Sequence, residues 1–200
     1  MAVPIPIAAA TPLLLASTSR YRAELLARLR IPFAAESPRV EETALDGELP
    51  AALAQRLALA KAVAVAQRNP GRWVLGSDQV AACNEQTLGK PGSRAAAIAQ
   101  LRLQSGNAVQ FHTAITLVAG DGTIHNAMDT TTARFRRLSA GEIERYVDAE
   151  PAYDCAGSFK CEGLGIALCE SIETRDPTAL VGLPLIAVRD LLAAAGYAVP

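Results

Sequence analysis

Two side chains suggest the chemistry this chain could perform: Asp78, within Leu75-Gly-Ser-Asp-Gln-Val80, and Lys90, within Gly89-Lys-Pro91. The apolar run Trp73-Val74-Leu75 reads as a short strand that meets Gly76, which places the Asp78 carboxylate at or near the strand's end. In an open α/β sheet, groups at the carboxyl ends of strands line the crevice where ligands bind. Gly89-Lys90-Pro91 sets a lone cation on a turn. A carboxylate and an ammonium displayed from neighbouring loops suit an anionic substrate whose cleavage needs an activated water. The same pair also suits a hairpin with a solvated Asp and Lys, because turns collect such residues anyway.

A second group lies near the start. Leu13-Leu14-Leu15-Ala16 is a short apolar run, Ser17-Thr18-Ser19 is a cluster of helix-capping residues, and Arg20 to Arg30 carries leucines at 25, 26 and 29, which together read as strand, turn and helix. Arg20 and Arg22 put cations where the helix dipole disfavours them, and a bound anion would reconcile the conflict. Helix N-termini are ready-made phosphate sites, so Ser17, Ser19 and Arg22 are candidates for gripping phosphates. An ordinary Ser-capped helix with exposed arginines fits the same residues. Further on, Glu41 and Glu42 sit in a polar loop. Lys61 lies in a helix predicted from Pro50 to Arg68, flanked by Leu57, Ala58, Ala64 and Val65, so it must snorkel outward or meet an anion.

The elements that position these groups alternate. A strand is predicted at Phe33 to Ser37, and Asn69-Pro70-Gly71 ends the long helix. Ser93 caps a helix through Gln104; Ala108 to Val118 and Thr123 to Phe135 read as a hairpin about Ala119-Gly-Asp-Gly122. Ser139 and Glu142 have capping-box spacing before the helix Ile143 to Ala149. The glycine-rich stretch 156–165 precedes a strand predicted at Ile166 to Cys169, and Val181-Gly-Leu-Pro184 opens a last helix through Ala195. The expectation is a mixed, twisted α/β sheet flanked by helices, in two lobes with a cleft between them. Residues 1–11 read as a flexible or loosely docked N-terminal extension, and 12–200 as one catalytic domain.

Composition bounds the rest. Two hundred residues, half of them hydrophobic, can bury a sizeable core. A net charge of −1 supplies no general field for nucleic acid, so duplex binding is not expected. Cys83, Cys155, Cys161 and Cys169 have no C-x-x-C spacing and only two distant histidines for company, which argues for free thiols in a reducing compartment and against zinc. The opening residues lack a basic n-region, and no stretch offers eighteen uncharged apolar residues, so a cytoplasmic protein with no membrane partner is expected. A homodimer is left open. Asn84 and Pro91 break the P-loop pattern around Gly89-Lys90, and neither Ser77 nor Ser158 stands in G-x-S-x-G.

Five ordered segments together resemble the Maf family of nucleoside triphosphate pyrophosphatases: Leu14-Leu-Ala-Ser-Thr-Ser-Arg-Tyr-Arg22 with Leu25-Leu26, Leu75-Gly-Ser-Asp-Gln79, Gly89-Lys-Pro91, Ala156-Gly-Ser-Phe-Lys-Cys-Glu-Gly163 and Val181-Gly-Leu-Pro-Leu185. The second and fourth segments are similar to the branch that hydrolyses 7-methyl-GTP and not to the dTTP- and UTP-directed branch, which reads G-A-D-T and A-Y-G-I-Q-G. The resemblance implies that Asp78 is the proton acceptor, that Tyr21, Gln79 and Glu162 set base specificity, and that Ser17, Arg22, Glu42, Lys61 and Lys90 form the polar pocket. Lys61, Lys90 and Arg22 are expected to stabilise phosphate, the two lysines without forming structural ion pairs. Tyr21 would offer an aromatic face to the base, and Gln79 would bond the base's carbonyl oxygen or a neighbouring donor. A magnesium or manganese ion on Glu42 and Asp78 is expected, with Asp78 as base or as ligand left open. Two departures stand out: Ala23 replaces a second basic residue, with Arg20 one turn away to compensate, and Tyr21 replaces a Trp. The rival reading is a nucleotide-binding regulator of cell division without useful turnover.

Overall fold

The computed structural model describes residues 7–197 and 199. Seven strands form one mixed sheet: β1 (Leu13–Ala16), β2 (Phe33–Ala35), β3 (Val74–Cys83), β4 (Gln86–Leu88), β5 (Ala108–Val118), β6 (Ile124–Phe135) and β7 (Cys169–Glu173). Their order is β2-β1-β3-β5-β6-β7, with β4 also on β3. Five helices flank them: α1 (Arg20–Ala27), α2 (Pro50–Arg68), α3 (Arg94–Gln104), α4 (Ala140–Ala149) and α5 (Leu185–Ala194). The expected architecture is present, and the local signals acted as written. Pro50 opens α2 at its first turn, where its missing N–H costs nothing. Ser93 caps α3, and Ser139 and Glu142 complete a reciprocal capping box on α4.

Two apolar clusters sit at opposite ends of the long strands. One joins Leu15, Leu25, Leu75, Leu117 and Leu183. The other joins Cys83, Leu101, Phe111, Phe135 and Phe159. β3 runs from the first cluster to the second, so its middle residues lie between the two. Ile7 is buried in the first cluster, which docks the described part of the predicted N-terminal extension; residues 1–6 lie outside the described residues.

Two strand expectations change. β3 does not stop at Leu75 but stays extended to Cys83, because Val74 to Cys83 pair without interruption with β5. The Gly-Ser-Asp composition reads as a turn locally, and the ladder overrides it. Asp78 is therefore a mid-strand residue. The strand predicted at Ile166 to Cys169 begins at Cys169 instead, and Leu164–Leu168 winds as 3-10 turns. A Cβ at Gly165 would come within 2.9 Å of the Lys160 carbonyl carbon, so this winding is too tight for a larger residue.

The other edge of β3 carries the functional break. β1 pairs in parallel with Val74 to Gly76 and leaves the sheet after Ala16; β4 pairs antiparallel with Ala81 to Cys83. Residues 77–80 have no strand partner on that side among the described residues. α2 crosses the neighbouring face with a row of small residues, Ala54, Ala58 and Ala62, all fully buried. A Cβ added at Gly76 would sit 2.7 Å from the Ala62 nitrogen and 2.8 Å from its Cβ, so the glycine permits this approach. We expect Gly76→Ala to lower stability by about 2 kcal/mol, a fall in Tm of roughly 4–8 °C, as overpacking does in well-filled cores. Thermal unfolding measures it, and an unchanged Tm would show that α2 does not depend on close contact here.

Candidate active site

The break in the β3 edge opens into a cleft of about 860 Å³. Asp78 and Gln79 stand at its centre on opposite faces of the strand, as alternation requires. Asp78 faces α2, where Lys61 meets it: Lys61 Nζ donates to Asp78 Oδ1 at 2.6 Å and pairs with Glu42 Oε1 at 2.7 Å. Lys61 is only 4% exposed and Asp78 7%, whereas the Glu42 side chain is about half exposed on the cleft rim. The expectation that Lys61 lacks ion-pair partners does not hold. The Leu- and Ala-rich helix leaves its ammonium little contact with solvent, and the carboxylate across the Gly76 contact is the nearest anion. Glu42 belongs to a long loop that other pairs fasten: Arg56 donates to Glu48 at 2.6 Å, and Arg68 to Glu36 at 2.9 Å.

The first strand-turn-helix delivers the second cationic group. Ser19 caps α1 by accepting from the Arg22 N–H, and Ser17 Oγ accepts from the Ser19 N–H at 3.1 Å and from Arg22 Nη1 at 3.4 Å. Arg22 Nε donates to the Gly182 carbonyl at 3.0 Å. Burial pushes the guanidinium's pKa down, and the negative charges of Asp78 and Glu42 oppose that shift. Arg22 therefore lies in the field of the Asp78 group. Arg20 turns to its neighbour: its guanidinium lies 4.8 Å above the Tyr21 ring and donates to the Tyr21 hydroxyl at 2.9 Å. It also lines the cleft, and it covers one face of the aromatic ring expected to receive the base.

Lys90 returns to the cleft by a hairpin. Asn84 and Glu85 both adopt positive φ, 50° and 63°, as a two-residue turn between twisted strands requires. β4 then runs back along β3, and the exposed Lys90 lines the cleft. Among the described residues it forms no ion pair, so its charge is available to a ligand.

Glu162 lines the same cleft from the 156–163 loop. A buried network behind the loop holds it. The Tyr146 hydroxyl donates to the Ser158 carbonyl at 3.2 Å and accepts from the Lys160 N–H at 3.3 Å, and Gln104 Nε2 donates to the Gly157 carbonyl at 2.6 Å. Burial pushes the thiols of Cys155 and Cys161 up to about 12, so these cysteines beside the cleft are not nucleophiles at neutral pH.

All ten sequence-predicted site residues line this one cleft: Ser17, Ser19, Tyr21, Arg22, Glu42, Lys61, Asp78, Gln79, Lys90 and Glu162. The sequence reading missed the backbone carbonyls of Ala179, Leu180 and Gly182, which anchor Gln79, Arg22 and Ser77, and it missed Thr113. The Val181-Gly-Leu-Pro184 signal marked that loop without revealing its role as an acceptor, because carbonyl positions carry no residue signature.

A mixed sheet broken at one edge, with cations converging on a buried carboxylate, defines an α/β protein built around an anionic ligand. The Maf-like protein family matches residues 12–195. The chain is 58% identical to the 7-methyl-GTP pyrophosphatase of Xanthomonas oryzae pv. oryzae over 94% of this chain and 98% of that one. It is 55% identical to the 7-methyl-GTP pyrophosphatase of a Polaromonas species over 94% of this chain and 86% of that one. A partial overlap with the Staphylococcus aureus Ham1 protein spans 62% of this chain and 72% of that one, with 16% identity and a TM-score of 0.45. The chain belongs to the Maf family.

The two lysines should now separate. Lys61→Met strands Asp78 in a low-dielectric wall without its partner and should cost about 2 kcal/mol or more. Lys90→Met removes a free charge and should leave Tm within about 1 °C, since isolated surface charges contribute little. Differential scanning calorimetry of the two variants makes the comparison, and equal Tm values would refute the buried-pair assignment.

Proposed function

We propose that this chain is a nucleoside triphosphate pyrophosphatase that hydrolyses 7-methyl-GTP to 7-methyl-GMP and pyrophosphate. The observation that carries the reading is the position of Asp78, a buried carboxylate at the break in the β3 edge, paired with Lys61, in the field of Arg22 and on a cleft that Lys90 also lines. Lys61 engages Oδ1 and no described residue donates to Oδ2, so Oδ2 is the oxygen left to take a proton from water. The water oxygen bonds to the α-phosphorus, the α–β bridging bond breaks, and the bridging oxygen leaves with pyrophosphate. Arg22 and Lys90 hold the phosphates, with Ser17 and Ser19 keeping Arg22 in place. Such chemistry needs positioning and charge stabilisation more than covalent catalysis. The substrate base is read from the activity for which the relatives are named, together with Tyr21, Gln79 and Glu162 in one cleft.

A divalent cation belongs to the proposal as well. Among the described residues no three His, Cys, Asp or Glu side chains gather as a cage. Glu42 and Asp78 already share one cation, the Lys61 ammonium, and magnesium is commonly held by one or two carboxylates together with substrate phosphates. Those two residues would hold magnesium or manganese, which would supply neutralisation of phosphate charge. Cytoplasmic residence is part of the same reading; free Cys83, Cys155, Cys161 and Cys169 support it, and no described helix is long and apolar enough to cross a membrane.

Asp78→Asn should keep nucleotide binding and lower kcat at least 100-fold, the loss expected for a general base. Pyrophosphate release and nucleotide affinity are measured together, and a variant retaining a tenth of wild-type turnover would remove Asp78 from the chemistry. Glu162→Gln should erode the preference for 7-methyl-GTP over GTP, dTTP and UTP by about tenfold while slowing the preferred reaction less. Wild-type preference for dTTP or UTP in the same assay would sink the substrate assignment. Absence of turnover on every nucleotide would favour a binding regulator.

A further inference from the structure

Gln79 is not free to choose its hydrogen bond. Its side-chain nitrogen donates to Thr113 Oγ1 at 2.9 Å, to the Ala179 carbonyl at 2.9 Å and to the Leu180 carbonyl at 3.1 Å. Two hydrogens are thus divided among three acceptors, and none remains for a ligand. Thr113 is the direct cross-strand partner of Gln79 on β5 and is fully buried. Its hydroxyl hydrogen goes to the Ala179 carbonyl at 3.0 Å, so its oxygen meets Gln79 as an acceptor. Turning the amide over would aim Oε1 at two carbonyls, replacing two attractions with two repulsions, whereas the Thr113 hydroxyl could meet either end. The two carbonyls, which only accept, therefore settle which end of the amide is nitrogen.

We propose that Thr113 is a positioning residue that, with the carbonyls of Ala179 and Leu180, holds Gln79 as a fixed acceptor reading N–H donors on the substrate base. This rests on the substrate class proposed above. No described residue donates to Gln79 Oε1, and Gln79 lines the cleft. Glu162, on the same cleft, is likewise acceptor-only when ionised. A guanine edge presents two adjacent donors, N1–H and the 2-amino group, to such a pair. Uracil and thymine present one donor between two carbonyls, and a carbonyl facing either residue sets acceptor against acceptor. Methylation at N7 gives the ring a positive charge, which strengthens both donors. Gln79 accordingly does not bond the base's carbonyl oxygen, one of the two options the sequence had left open.

The test compares kcat/KM on 7-methyl-GTP, UTP, 1,7-dimethyl-GTP, which lacks the N1–H, and 7-methylinosine triphosphate, which lacks the 2-amino group. Wild type should disfavour both analogues at least tenfold relative to 7-methyl-GTP. Thr113→Val should lose about tenfold on 7-methyl-GTP and little on UTP, narrowing the preference, while Thr113→Ser restores it. A parallel fall on every nucleotide would assign Thr113 a purely structural role and overturn the inference, as would an unchanged preference. Should Thr113→Val not fold, the analogues still decide: wild-type turnover of both at the rate of 7-methyl-GTP overturns it. A wild type with no preference for 7-methyl-GTP over UTP overturns the substrate reading and this inference with it. Failure of the variant arm alone leaves that reading standing.

Discussion

The close contact between α2 and β3 at Gly76 is the constraint on which the site depends. A helix normally packs on a sheet with side chains between the two backbones, but here Ala58 and Ala62 meet a residue with no Cβ. The resulting approach carries Lys61 to Asp78, at 2.6 Å, in a place where both are almost excluded from water. Two opposite charges so buried stabilise one another only while both are present. The contact therefore joins fold and chemistry: the side chain that orients the carboxylate also neutralises it, and the helix that supplies it buries Leu53, Leu57 and Val65 beside the alanines.

The second organising feature is the interrupted edge of β3. Because β1 leaves after Ala16 and β4 joins only at Ala81, the strand offers side chains on both of its faces to one cleft. Asp78 and Lys61 lie on the α2 side, and Gln79 lies on the side of the 179–182 loop, to which Arg22 is also anchored. Asp78 and Gln79 are thus adjacent in sequence yet on opposite faces of one strand.

The 179–182 loop meets the cleft through its backbone carbonyls. Gly182 accepts from Arg22 and Ser77, and Ala179 accepts from Gln79 and Thr113. Carbonyl anchors lock an arginine or an amide without adding charge to a site that must receive a polyanion. The same logic explains why Arg22 keeps its guanidinium near Asp78 despite the desolvation that pushes its pKa down.

The sequence alone determined the order of the helices and the longer strands, though not the short β4, together with the caps and the residue types of the site. Pro50, Ser93 and the Ser139–Glu142 box act within a few residues of themselves, so their effects survive any tertiary arrangement. The ordered motifs contain Arg22, Asp78, Lys90 and Glu162 of the cleft, whereas Arg39 and Asp154, which also line it, carried no signal. Only the tertiary structure decided where β3 ends, because a ladder to β5 outweighs the turn-like Gly76-Ser77-Asp78. It also decided that Lys61 is paired, that Arg20 turns to Tyr21, and that Thr113 lies opposite Gln79. Each of these depends on register or packing between segments distant in the chain, and no local pattern of residues encodes a distance between them.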